Sequence, residues 1–196
     1  MIPPLRRSHT LLACTLAVLV AACDGPTVTS SVPVDRASAF ASQSGLGSDI
    51  NADLATLRRV TAPFHRFDAA SAAGWSARIT SCMTDPALGG MGYHYGNGGL
   101  IDGSVRVDEP ELLLYEPEKN GQLRLVAVEY IIPYTFHPRS GEPPVLFGQQ
   151  FKQNDTFQLW GLHAWVWEEN PSGMFASWNP RVTCDNAREA MTMAHD

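Results

Sequence analysis

The chain has 196 residues, of which 44% are hydrophobic and 17% are charged. Its 20 acidic residues outnumber its 14 lysines and arginines, which gives a formal net charge of −6. Because the basic residues form no cluster, a nucleic acid is not an expected partner. A chain of this length is sufficient to enclose the hydrophobic core of one domain.

The first 22 residues have the three parts of an export signal. Arg6 and Arg7 precede an apolar run over residues 10–22 that ends in small residues. This run of about 13 residues is shorter than the roughly 20 that span a bilayer. Its end, Val20-Ala21-Ala22-Cys23, resembles the lipobox of bacterial lipoproteins, in which the signal is cut before a cysteine that receives lipid. The alternative is an ordinary secretory signal with an accidental cysteine, or cleavage elsewhere.

The lipobox resemblance implies that Cys23 becomes the mature N-terminus and carries acyl chains, palmitate among them. Such chains anchor a protein to a bacterial membrane, and the domain then faces the periplasm or the cell exterior. Cleavage takes 22 of the 196 residues and leaves 174. It removes Arg6 and Arg7, so 12 basic residues remain against 20 acidic ones, a net charge of −8.

Two cysteines of the mature chain, Cys82 and Cys184, are left to form a disulfide. Cys14 leaves with the signal, Cys23 carries lipid, and disulfides persist in this compartment. Two free thiols or metal ligands are the alternative, although no C-x-x-C spacing favours a zinc site. The bridge would close a loop of roughly 100 residues and contribute at most about 4.7 kcal/mol in the chain-entropy account.

Composition divides the chain into three parts. After the signal peptide at 1–22, residues 24–47 are rich in Ser, Pro, Gly, Val and Ala with few charges, which is typical of a linker. We therefore predict a flexible tether over 23–47 and a single domain over 48–196.

The domain is predicted to open with two short helices. Ile50, Leu54 and Leu57 have helical spacing, Ser48 or Asp49 is available as an N-cap, and Pro63 ends the pattern. A second helix is predicted over residues 68–73, with Gly74 after its end.

The rest of the chain is predicted to form an antiparallel sheet. Residues 112–115 and 122–132 are rich in strand-forming side chains, and Asn120-Gly121 between them is a strong hairpin signal. A Pro-rich connection over 133–144 leads to a third strand over 156–167, and a turn at 170–173 precedes residues 174–178. The predicted fold class is α+β: short N-terminal helices, then an antiparallel β-sheet, with one disulfide.

The stretch from Gly89 to Gly99 is rich in glycine. It lacks the Gly-Lys-Ser/Thr of a phosphate-binding loop and does not follow a strand. We expect its glycines to permit tight turns or a close approach to a neighbouring element.

Three polar residues interrupt apolar, strand-like sequence: His94, Glu129 and His163. Strand alternation places Glu129 on the face of Ala127 and Ile131, and His163 on the face of Gly161. If these faces coincide, two imidazoles and a carboxylate form a divalent-metal site with open coordination positions. The alternative is a buried polar network without metal, or unrelated exposed residues. His137 is the reserve ligand, and His65 and His195 are expected to be exposed.

Aromatic residues are dense in the last third of the chain. Strand alternation places Trp165 and Trp167 on one face and Trp160 on the other. Indoles on one face form a platform for sugar rings, but large aromatic side chains are more often core. The full set is Phe147, Phe151, Phe157, Trp160, Trp165, Trp167, Phe175 and Trp178.

Five segments, together with Cys82 and Cys184, resemble a family of exported bacterial proteins to which no activity is attached. The likeness covers roughly residues 50–185 and implies a self-contained domain. The expected role is binding of a small molecule, an envelope glycan or another protein; the alternatives are a metal-dependent enzyme or metal-binding protein, and a structural envelope protein. The segments are residues 90–95, 110–117, 125–130, 162–167 and 178–180.

Overall fold

The computed structural model describes the backbone of residues 34–187 and the side chains of residues 47–187. The predicted signal peptide, Cys23 and His195 lie outside this range. Within it, no helix is both long enough and apolar enough to cross a membrane. The elements are α1 (Val34–Thr61), a 3-10 helix (Ala62–His65), α2 (Phe67–Ala72), β1 (Ala77–Arg78), β2 (Met83–Asp85), β3 (Gly89–Gly96), a second 3-10 helix (Gly98–Leu100), β4 (Leu112–Pro117), β5 (Leu123–Pro133), β6 (Val145–Leu146), β7 (Gln149–Gln150), β8 (Lys152–Asn154) and β9 (Leu159–Ala164).

Among the described residues, seven strands form one sheet in the order β1-β3-β4-β5-β9-β8, and β2 pairs with β3 beside β1. All of these pairings are antiparallel, while β6 and β7 form a separate small hairpin. The helices precede the sheet in the chain, so the predicted α+β class is confirmed.

The first predicted helix ends at Thr61 as the position of Pro63 indicates, but it begins well before the predicted cap. Helix α1 starts at Val34, so Ser48 and Asp49 lie inside it and neither is its N-cap. Residues 34–47 of the segment predicted as tether are helical backbone. The second predicted helix corresponds to α2, and Gly74 follows it with a φ of 113°.

One face of the sheet packs against the helices. Leu54 and Leu57 of α1 and Ala70 of α2 share a buried cluster with strand residues such as Val128 and Leu162. The apolar residues of α1 recur at helical spacing because they form the side of the helix that is buried against the sheet. The mainly apolar pattern of β5 arises because its other face is covered as well.

The second face of the sheet is covered in part by the C-terminal segment. Met91, Leu114 and Ile131 of the sheet share a cluster with Val182 of the C-terminal segment. The predicted disulfide is confirmed: Cys82 is bonded to Cys184, and their Cα atoms are 5.8 Å apart. The bridge therefore ties the segment between β1 and β2 to the C-terminal segment.

Two predicted elements differ in detail. The strand predicted over residues 156–167 is confined to β9, because Gln158 takes a φ of 54° in the turn after β8, and the pairing ends at Ala164. The glycine-rich stretch contains the eight-residue strand β3. The expected close approach is confirmed, since a Cβ on Gly90 would lie 2.6 Å from the carbonyl oxygen of Val182.

Candidate metal centre

Sheet register brings the three predicted residues together on the face opposite the helices. Glu129 of β5 lies directly opposite His163 of β9, and opposite Leu112 of β4 on its other side. His94 of β3 lies opposite Leu114 of β4. Directly opposed residues of antiparallel strands share a face, so all three polar side chains project into the same space.

The nitrogen and oxygen atoms of this cluster are close enough to share a ligand. His94 Nε2 is 3.5 Å and His163 Nε2 is 3.9 Å from Glu129 Oε2. One donor atom from each residue lies within 4.8 Å of those of the other two. The planes of the two imidazole rings are nearly perpendicular, at 84°. The predicted convergence of His94, Glu129 and His163 is therefore present in the structure.

Burial determines the charge of these groups in the metal-free protein. It lowers the pKa of His94 to about 4 and, with the nearby His94 and Lys152, that of His163 to about 3. Burial, together with the nearby Glu111, raises the pKa of Glu129 to about 8. Contacts of this length between a histidine and a carboxylate suggest ion pairs, but the desolvation cost of three buried charges favours the neutral forms.

One atom of the cluster has no partner. Among the described side chains, His163 Nε2 is the buried nitrogen or oxygen atom without a hydrogen bond. A satisfied polar network pairs each buried polar atom, so this atom favours a metal site over the network alternative. An unpaired buried nitrogen costs about 1–3 kcal/mol, whereas a metal ion at the centre would use its lone pair.

A hydroxyl group supports His94 from behind. Thr80 Oγ1 is 3.0 Å from His94 Nδ1, on the side of the ring away from Glu129. The backbone N–H of Ile79 donates to the His94 carbonyl oxygen at 2.8 Å. The same segment continues to Cys82, which is bonded to Cys184 in the disulfide. Metal-bound histidines normally have such a partner on the second ring nitrogen, and Thr80 was not singled out from the sequence because it lies outside any strand pattern.

Gly161 has no side chain, and the carboxylate of Glu129 lies where a side chain would begin. A Cβ at this position of β9 would lie 2.8 Å from Glu129 Oε1. A glycine inside a strand often marks a close approach of another group. That signal was available in the sequence, but only the register shows which group approaches.

The cluster forms the polar base of a largely apolar pocket. Its walls are formed by apolar side chains from several strands, and Thr80 and Asn154 are also among its lining residues. The apolar lining residues are Ile79, Met83, Met91, Leu112, Ile131, Phe157 and Leu159.

The remaining histidines do not join the cluster. His137 Nε2 is 2.7 Å from the carbonyl oxygen of Glu142, and His137 is not part of the group of potential ligands. The reserve assignment is therefore wrong, because the loop after β5 carries this ring to the edge of the sheet beside Trp160. His65 is exposed, as expected, with its ring against Trp167.

The large aromatic residues are mainly core. Trp160 and Trp165 are buried in clusters on opposite faces of the sheet, which favours the core interpretation over a sugar platform. The prediction that Trp165 and Trp167 share a face is wrong: strand β9 ends at Ala164, and Trp167 turns back toward the cluster under the helices. Its indole N–H donates to Thr61 Oγ1.

The donor set fits a divalent ion with nitrogen and oxygen ligands. Two ligands about 2.05 Å from a tetrahedral ion lie about 3.3 Å apart, close to the 3.5 Å and 3.9 Å separations of the imidazole nitrogens from Glu129 Oε2.

No protein family, curated protein or solved structure matches this chain.

Proposed function

We propose that this protein is an extracytoplasmic metal-binding protein, held to a bacterial membrane by lipid on Cys23. His94, Glu129 and His163 bind a divalent transition metal of the zinc type through Nε2, a carboxylate oxygen and Nε2. The membrane anchor rests on the resemblance of residues 20–23 to a lipobox. The metal assignment rests on the convergence of the three donor groups.

The observation that carries this proposal is the unpaired Nε2 of buried His163. The large majority of buried side-chain nitrogen and oxygen atoms have a hydrogen-bond partner. Here the atom lies 3.9 Å from a carboxylate oxygen that is also 3.5 Å from the second imidazole, that of His94. Ion binding pairs all three groups at once.

The number of ligands indicates the kind of site. Structural zinc sites have four protein ligands, whereas sites that bind or activate a small molecule have three and keep a position open. The three donors here lie at the base of a pocket, so that position faces the pocket. A bound ion would supply a Lewis acid to whatever enters; the chain supplies the apolar walls.

Metal analysis of the full chain tests the proposal. After purification in mild detergent and dialysis against zinc, we expect one tightly bound ion per chain by elemental analysis. His163→Ala and Glu129→Gln should lose it. His137→Ala is the matched control, because it removes an imidazole that lies outside the cluster, and it should retain the ion.

Two outcomes would contradict the proposal. One is a folded wild-type chain that takes up no stoichiometric zinc, cobalt or nickel. The other is zinc binding that survives His163→Ala but is lost in His137→Ala. Circular dichroism of each variant separates loss of the site from loss of the fold.

A further inference from the structure

The lining of the pocket above the three donor groups limits which ligands can reach a bound metal ion. This lining includes seven apolar side chains, and among the described residues no lysine or arginine belongs to it. Lys152, on the neighbouring strand β8, donates a hydrogen bond from Nζ to Ser177 Oγ at 3.2 Å. Lys152 lies opposite Gly161 on the face of the site but does not line the pocket, so inside the pocket the metal is the positive partner of a negatively charged ligand.

The other polar side chains in the lining, Thr80 and Asn154, each use one polar atom within the protein. Thr80 Oγ1 is in contact with His94 Nδ1, and Asn154 Oδ1 accepts the backbone N–H of Phe157. A ligand with many hydroxyl groups would lose their hydrogen bonds to water and gain few in return, which costs free energy for each unpaired group. This disfavours sugars.

The mouth of the pocket is apolar as well. Ile79 and Phe157 both line it and are 49% and 45% exposed, although large apolar side chains are usually buried. They come from separate segments, before β2 and between β8 and β9. Their exposed surfaces extend the apolar wall from the metal position to solvent, so the body of a ligand remains in apolar contact along its length.

We infer, on the basis of the proposed function, that the open metal positions accept a small amphiphile: one monoanionic or neutral oxygen-donor head on the metal, and an apolar tail that passes between Ile79 and Phe157. One divalent ion with one carboxylate carries a single net positive charge, which a monoanionic head neutralises. A second negative charge would have no partner in the lining.

Hydroxamates of increasing length test this inference on the full chain loaded with Co²⁺. The d–d absorption of the cobalt ion reports binding of the head. We expect affinity to rise from acetohydroxamate through butyrohydroxamate to hexanohydroxamate, by about fourfold for each methylene that the pocket buries. Butyrate should also bind more tightly than succinate, which has the same number of carbon atoms and a second charge.

A change at the mouth shows whether the tail takes the proposed route. Phe157→Ser should reduce the gain in affinity per methylene, so that the ratio of hexanohydroxamate affinity to acetohydroxamate affinity falls. Val145→Ser is the matched control, because Val145 is also exposed but lies on the separate β6–β7 hairpin, and it should behave as wild type. All proteins meet the same detergent, so partition of the probes into micelles cancels in the comparison.

The outcomes separate the two proposals. The amphiphile inference would be overturned if the cobalt-loaded chain bound all three hydroxamates with equal affinity, or bound succinate more tightly than butyrate. Either result would leave the proposed metal site unaffected. Equal losses in Phe157→Ser and Val145→Ser would overturn the proposed route. Failure of the wild-type chain to bind cobalt would overturn the proposed function and this inference with it.

Discussion

Glu111 is a buried carboxyl group whose titration should be visible in the stability of the fold. It is 1% exposed, and its Oε2 accepts the backbone N–H of Ile131 at 3.1 Å, just beyond the point where β4 stops pairing with β5. Burial raises its pKa from 4.5 to about 7. Glu111→Gln retains the shape and an acceptor oxygen but removes the titration.

The sign and size of the effect follow from that pKa. Below pH 4.5 the carboxyl is protonated in both the folded and the unfolded chain, so it has no pH-dependent effect. Between pH 4.5 and about 7 the unfolded chain releases the proton while the folded chain keeps it, so the free energy of unfolding falls as pH rises. At about 1.36 kcal/mol per pKa unit, the full loss is about 3 kcal/mol.

Urea denaturation of the full chain at pH 4.5 and pH 8 measures this loss. The free energy of unfolding of Glu111→Gln, relative to wild type, should increase by up to about 3 kcal/mol between the two pH values. Glu129 is present in both proteins, but Glu111 helps to raise its pKa, so the measured difference also includes the coupling between these two carboxyl groups. Glu142→Gln, at an exposed position, is the control and should show no such change. A difference between Glu111→Gln and wild type that stays constant with pH would show that burial does not raise the pKa of Glu111.

Three further predictions concern the site and its support. Gly161→Ala places a Cβ 2.8 Å from Glu129 Oε1 and should abolish zinc uptake while circular dichroism stays native; retained zinc would contradict the role of this space. Thr80→Val removes the partner of an imidazole Nδ1 and should weaken zinc binding about 10–100-fold in competition with a chelator, whereas Thr80→Ser should retain it. The double change Cys82→Ser, Cys184→Ser should lower the free energy of unfolding by up to about 4.7 kcal/mol, and reductant should affect only wild type.

The longer elements could be predicted from sequence because each has a local cause. The hairpin between β4 and β5 follows from Asn120-Gly121, where Gly121 has a φ of 80°. Helix α2 ends where Gly74 predicts it. The short strands β1, β2 and β8 have no apolar alternation of their own, because they pair along strands that are already formed. Such strands depend on the tertiary structure and leave little trace in the sequence.

The three donor residues of the site could be predicted from the sequence, but the contacts that hold them in place could not. His94, Glu129 and His163 stand out because each interrupts an apolar strand. Their convergence depends on the register across β4 and β9, which alternation alone does not fix. Thr80 reaches His94 only because the chain between β1 and β2 lies along β3, and no spacing in the sequence encodes that contact.

Anomalous scattering at the zinc absorption edge, from crystals of the zinc-loaded full chain, shows directly where the ion binds. We expect one strong peak on the sheet face opposite the helices, about 2.0–2.2 Å from His94 Nε2, His163 Nε2 and a carboxylate oxygen of Glu129. Its remaining coordination should open toward Ile79 and Phe157. A zinc peak elsewhere, with this cluster free of metal and His163 Nε2 hydrogen-bonded to protein or water, would contradict the proposed metal site.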